Sequence, residues 1–97
     1  MHVVFLWLAS AELALARVAE RVARGGHDVP EEVVRRRYRA GLRNLFSLYR
    51  PLATTWRVYD SGDFHAPRLM ASGQSGRTFV RDEVVWSQIV RQWSPNV

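Results

Sequence analysis

The sequence predicts an α/β fold, and three observations predict it. Val3-Val4-Phe5-Leu6-Trp7-Leu8 is an unbroken apolar run, the pattern of a strand in a parallel sheet. Two stretches of helical periodicity follow, and then a β-branched and aromatic segment, Thr55-Trp56-Arg57-Val58-Tyr59. A strand, a helical excursion and a second strand make a βααβ crossover, which favours parallel pairing. The 97 residues suit one small domain or a piece of a larger one. Residues 1–97 are read as a single partial domain.

The first strand is expected over residues 2–9, buried on both faces. A strand of that kind at the very start of a chain needs neighbours and covering layers from elsewhere, so upstream sequence is expected. Residues 10–24 form a helix. Ser10 caps it, Glu12 complements its dipole, and Ala11, Leu13, Ala14, Leu15, Val18 and Val22 recur at helical spacing. Arg17, Arg21 and Arg24 lie four and three residues apart, along one flank. Gly25-Gly26 ends the pattern, and residues 25–30 form a mobile hinge.

Pro30, Glu31 and Glu32 restart a helix over 31–50: proline suits a first turn and the acids suit the positive end of the dipole. Asp28 is an alternative cap, with Glu31 completing a capping box. Val34, Tyr38, Leu42, Leu45, Leu48 and Tyr49 are the expected apolar face. Arg37 and Asn44 border it, and Arg35, Arg36, Arg39 and Arg43 point outward. A strand over 55–60 ends at Asp60, where Ser61-Gly62 opens a turn. Residues 67–80 form a short hairpin, with Arg68–Ala71 and Thr78–Val80 joined through residues 72–76. Asp82 caps a last helix over 82–93, in which Val85, Trp86, Ile89, Val90 and Trp93 recur at helical spacing. The four tryptophans, Trp7, Trp56, Trp86 and Trp93, are assigned to the core or to the covering helix.

Hydrophobic residues make up 47% of the chain and aromatics 11%, which predicts a packed core rather than disorder. No cysteine is present. That excludes disulfides, thiolate nucleophiles and zinc–thiolate sites, and fits a reducing, cytoplasmic setting. No apolar run approaches the ~20 residues of a spanning helix. Nor is residues 3–9 a signal peptide: only His2 precedes it as a cation, and Glu12 follows closely. His2, His27 and His65 have no metal-ligand spacing, and Asp60 and Asp63 are explained by turn chemistry.

The formal net charge is +5, and all 14 basic residues are arginine. A phosphate loop of Walker A type needs a lysine as a point charge on the β- and γ-phosphates, so this sequence contains none. The charge is also concentrated. Residues 17–50 hold nine arginines against Glu20, Asp28, Glu31 and Glu32, while the remainder holds five arginines and five acids. Such a field points to a polyanion or a phosphorylated ligand.

Two helices joined by a glycine hinge and bearing arginines are what a lid over a nucleotide requires. Guanidinium groups grip two oxygens at once and stabilise the charge spread over a transferring phosphoryl group. Glycines allow closure, which excludes water. The string Arg21-Val22-Ala23-Arg24-Gly25-Gly26-His27-Asp28-Val29-Pro30, then Arg36-Arg37-Tyr38 and Gly41-Leu42-Arg43-Asn44, resembles the lid region of zeta-toxin-type P-loop kinases. The likeness is to the branch described as predicted ABC-type ATPases. It continues through Tyr49, Pro51-Leu52, Trp56-Arg57-Val58-Tyr59-Asp60 and Pro67-Arg68-Leu69, from about Val3 to Gly73.

The resemblance implies the C-terminal portion of a P-loop NTPase sheet of nucleotide-kinase type, with a two-helix lid, a hairpin and a C-terminal helix. It implies ATP and Mg2+, phosphoryl transfer to a small-molecule acceptor such as a UDP-linked amino sugar, and an antitoxin-like protein partner. It implies that Arg37 and Arg21 contact the ATP phosphates as the catalytic pair, with Arg36, Arg24 and His27 on the cofactor side of the lid. His27 matches the motif without an assigned chemistry. Two departures stand beside the likeness. The phosphate loop and the acidic base belong to the family's N-terminal half, so the chain is expected to be inactive alone. The family's Tyr-Asp-Asn-Ser is here Tyr59-Asp60-Ser61-Gly62. The competing expectation is a non-catalytic basic module that binds nucleic acid or a protein partner through the arginine-rich helix. It ranks lower because exposed aromatics are not interleaved with the charges.

Overall fold

The structure is a computed structural model and describes residues 1–63 and 65–93. It is a mixed α/β fold built on a four-stranded mixed sheet. Strand β1 (His2–Trp7) leads to helix α1 (Ala11–Ala23) and helix α2 (Glu31–Asn44). Helix α2 continues without a break through a π-helical segment, Leu45–Tyr49, into the short α3 (Arg50–Leu52). Strands β2 (Thr55–Asp60), β3 (Arg68–Gln74) and β4 (Arg77–Val80) follow, then helix α4 (Glu83–Trp93). The sheet order is β1-β2-β3-β4. As the crossover predicts, β1 and β2 pair in parallel, from His2 opposite Thr55 to Trp7 opposite Asp60. The other two pairings are antiparallel.

The helices cover one face of the sheet. Val3, Phe5 and Trp7 from β1 turn inward, as do Trp56 and Val58 from β2, against Leu42, Leu45 and Phe46 of the α2 run and Trp86 and Ile89 of α4. A bulge in β3 between the partners of Val58 and Tyr59 puts Met70 and Ala71 into the same core. The opposite face is open, which corrects the expectation of a strand buried on both sides. Val4 is 65% exposed and Leu6 59%. The apolar run gives no alternation because both faces of β1 are apolar, yet only one is covered here.

Helix ends are set by local chemistry. Ser10 Oγ accepts from the Leu13 N–H at 3.3 Å, and Asp82 Oδ1 accepts from the Val85 N–H at 3.0 Å. At the end of α1, Gly25 has φ +94°. Its N–H bonds to Val22 O, and the Gly26 N–H bonds to Arg21 O at 2.8 Å, a Schellman closure. Both glycines of the expected hinge are therefore engaged in ending the helix. Asp28 does not cap α2. Pro30 occupies that position without a side-chain bond, and the Asp28 carboxylate takes the Val29 N–H instead.

Two further expectations change. The second helix was expected to run regularly to residue 50 with Leu48 and Tyr49 inside. Pro51 cannot donate a hydrogen bond to the preceding turn. The helix widens before it, and the Arg50 N–H bonds to Leu45 O, five residues back. Leu48 and Tyr49 are exposed as a result, and Phe46 and Arg50 turn inward. In the hairpin, Ser72, Gly73 and Gln74 belong to β3. The turn itself is Ser75-Gly76, whose φ values of 53° and 77° suit a two-residue hairpin.

Candidate functional site

A groove of about 640 Å³ runs between β1 and the α1–α2 pair. Phe5 and Trp7, from the covered face of β1, form its floor with Leu8, Leu6 borders it, and Ser61 and His65 close the end beyond β2. Helix α1 contributes Ala14, Arg17, Val18, Glu20, Arg21 and Arg24, and α2 contributes Val34, Arg37, Tyr38, Gly41 and Leu42. The groove thus opens beside the carboxyl ends of the parallel strand pair, where open α/β sheets commonly receive ligands.

Helical spacing explains the arginines on the first wall. Residues 17, 21 and 24 fall on one flank of α1, and that flank is the one turned to the groove. Arg17 is committed elsewhere: its guanidinium donates to the carbonyl of Ser61 and, at 3.3 Å, to that of Gly62. It ties α1 to the end of β2. Arg21 and Arg24 are exposed at the rim, with Arg37 facing them from α2. Among the described residues no carboxylate pairs with Arg21, Arg24 or Arg37.

The floor is held rigid by a hydrogen-bond network. Trp7 ends β1, and its carbonyl accepts from both the backbone N–H and the hydroxyl of Ser61, at 2.8 and 3.1 Å. The Tyr38 hydroxyl donates to Leu8 O at 2.6 Å. Gln92 of α4 donates to Ala9 O at 2.9 Å and accepts from the Trp7 indole N–H at 3.0 Å. Side chains from the loop after β2, from α2 and from α4 thus satisfy the carbonyls of Trp7, Leu8 and Ala9. Burial raises the Tyr38 pKa above its ordinary value, while its hydrogen bond with Gln92 acts in the opposite sense.

Of the residues singled out in the sequence, Arg21, Arg24 and Arg37 come together on this groove. Arg36 and His27 are exposed and do not line it. Arg35, expected to point outward, is instead 34% exposed and bridges the two helices. It reaches Glu12 of α1 at 3.1 Å and Glu31, one turn away on α2, at 3.6 Å. The Glu12 carboxyl sits below its ordinary pKa, chiefly through a backbone hydrogen bond and then through Arg35. The Arg35 guanidinium sits above its own, chiefly through the bond to Glu12. Sequence reasoning missed Tyr38, Ser61 and Gln92 as supports of the floor. The spacing of 17, 21 and 24 does bring Arg17 to the groove, but nothing in it reveals the tie to Ser61.

The groove suits a polyphosphate: it has a guanidinium on each side and an apolar floor. It does not suit a metal cage. Among the described residues Glu20 is the one carboxylate in its lining, and no group of three or more histidines and acids among them could hold a metal ion. Asp60 and Asp63 are used locally, accepting from the backbone N–H groups of Gly62 and His65. No helix among the described residues is long and apolar enough to cross a membrane. No protein-family model, curated protein or solved structure matches the chain.

Proposed function

We propose that this chain is the lid-bearing part of a zeta-toxin-type P-loop kinase, and that its groove receives the phosphates of ATP. One observation carries the reading: Arg21 and Arg24 from one helix and Arg37 from the next line a single groove, with no carboxylate of the described residues bound to them. Guanidinium groups held apart by two helices can grip a polyphosphate from both sides and neutralise the charge that builds up as the γ-phosphoryl group moves. Arg17 fixes α1, so Arg21 and Arg24 meet the ligand from a set position. Arg36 and His27 lie outside the groove, and the reading rests on the other three arginines.

The reaction is transfer of the γ-phosphoryl group to a hydroxyl of a small acceptor, with a UDP-linked amino sugar as the acceptor class suggested by the lid resemblance. The sequence has no lysine, so the phosphate loop comes from a separate polypeptide segment, as does the carboxylate base. Magnesium arrives with the nucleotide, because Glu20 alone offers no cage; no step is assigned to it. An antitoxin-like protein partner and a cytoplasmic setting belong to the same proposal.

The test is binding of a fluorescent ATP analogue to the chain, with Arg21→Ala and Arg37→Ala beside it. Saturable binding is expected, weakened roughly tenfold by either substitution, the cost of one charge-assisted phosphate contact. Equal affinity in all three proteins would remove the groove from consideration. Hydrolysis of ATP by the chain alone is expected to be nil. Exposed Arg36, Arg39 and Arg43 on the outer side of α2 favour a second reading, nucleic-acid binding. It predicts salt-dependent retention of labelled RNA that those three substitutions abolish and Arg21→Ala leaves intact.

A further inference from the structure

The π-helical segment delivers Arg50, just after its end, into an aromatic cluster. Its guanidinium lies 4.6 Å from the Trp56 ring centroid, 5.2 Å from that of Phe46 and 5.5 Å from that of Trp86. The rings are themselves stacked, Trp56 on Trp86 and Phe46 on Trp93. No carboxylate pairs with Arg50 among the described residues, and its Nε is buried without a hydrogen-bond partner. Desolvation lowers its pKa from the ordinary value.

Aromatic faces compensate a desolvated cation only in part. A half-buried guanidinium with an orphaned donor and no counter-charge is a costly arrangement unless something completes it. The surroundings leave room for that. A cleft of about 420 Å³ opens beside Arg50, lined also by Thr54, the Ser75-Gly76 turn, Arg77 and Thr78. Trp56 can lie flat there because Gly73 has no side chain: a Cβ at that position would come within 1.9 Å of the indole nitrogen. Pro51 and Ala53 supply an apolar side wall.

We infer that this cleft is a binding site for a small amphipathic oxyanion, its carboxylate or phosphate group held between Arg50 and Arg77 and its apolar body laid against Pro51 and Ala53. Thr54 and Thr78 provide hydroxyl groups for the remaining oxygens. Among the described residues the site shares no lining residue with the arginine groove.

The experiment follows the indole N–H signals of the full chain by NMR during titration with benzoate, phenyl phosphate and inorganic phosphate. The Trp56 signal is expected to move saturably with benzoate or phenyl phosphate, and more weakly with inorganic phosphate, which has no apolar body. Benzoate alone identifies a carboxylate site; phenyl phosphate alone identifies a phosphate-ester site. Arg50→Gln is expected to raise the dissociation constant by roughly tenfold or more. Arg77→Gln changes an exposed side chain at the start of β4, keeps the fold, and is expected to weaken binding severalfold. Arg21→Ala with Arg37→Ala should leave the response intact, which separates this site from the nucleotide groove. No saturable movement with any of the three compounds, or an undiminished response in Arg77→Gln, overturns the inference.

Discussion

The Trp7 indole N–H donates to the Gln92 side chain at 3.0 Å, joining the last residue of the first strand to the last turn of the last helix. Trp7 is only 2% exposed, so its N–H has no recourse to water if that acceptor goes. The same amide also donates to Ala9 O. Gln92→Leu therefore orphans a buried donor and a backbone carbonyl together. The expected cost is about 2–4 kcal/mol, two groups at 1–3 kcal/mol each with partial relief by relaxation. In a chain of this length that lowers Tm by roughly 10 °C or more, read by thermal denaturation under circular dichroism. A Tm within a degree of the parent protein would show that water reaches both groups.

The crossover was legible in the sequence because periodicity changes there, from the unbroken run at Val3–Leu8 to helical spacing and then to Thr55–Tyr59. The capping roles of Ser10 and Asp82, and the stop at Gly25-Gly26, were legible for the same local reason: each depends on residues within one helical turn. The flank of Arg17, Arg21 and Arg24 also follows from spacing alone. The bare outer face of β1 does not. Val4 and Leu6 look like core residues, and they are exposed because the helices cover only the other face of β1. The inward turn of Arg50 was hidden because Leu48 and Tyr49 fit regular helical spacing as well as Phe46 does. Gln92 acts across most of the chain, where a linear pattern holds no information.

Gly73 is predicted to be the least substitutable glycine. A methyl group there would meet Trp56 Nε1 at 1.9 Å, Cε2 at 2.2 Å and Cδ1 at 2.7 Å. The ring cannot retreat freely, since it is stacked on Trp86 at 5.6 Å between centroids and lies in the core. Gly73→Ala is expected to destabilise by about 1–3 kcal/mol or more, the usual range for overpacking, and to shift the tryptophan fluorescence maximum. Gly76→Ala, where φ is +77° but no atom lies within 4 Å, should cost about 1–2 kcal/mol through backbone strain alone and leave the fluorescence unchanged. Equal spectra for the two variants would mean that Trp56 moves aside.

The Glu12–Arg35 pair gives an acid-side prediction. The Glu12 carboxyl titrates below its ordinary value of 4.5 in the folded chain, so on acidification the unfolded state takes up that proton first. The contribution is complete above the unfolded value and disappears as pH falls through the folded one. Glu12→Gln should therefore flatten part of the loss of stability below pH 4.5, with little effect near neutrality. The effect is small because both side chains remain partly in water. Urea denaturation midpoints measured from pH 3 to pH 7 for both proteins provide the check. Parallel curves would show that the bond between α1 and α2 is not formed in solution.

The groove itself makes a prediction about ligand charge. If Arg21, Arg24 and Arg37 all face phosphate oxygens, affinity should follow the number of phosphates, with ATP above ADP and ADP well above AMP. It should also fall as salt rises, because exposed guanidinium–phosphate attraction is screened over about 8 Å at physiological ionic strength. Arg37→Ala should narrow the gap between ATP and ADP more than it changes AMP binding, since it removes a charge from the wall opposite α1. Arg36→Ala, outside the groove, should change none of the three. Isothermal titration of each nucleotide at two salt concentrations measures all of this. An AMP affinity equal to that of ATP would mean that the apolar floor, rather than the arginines, selects the ligand.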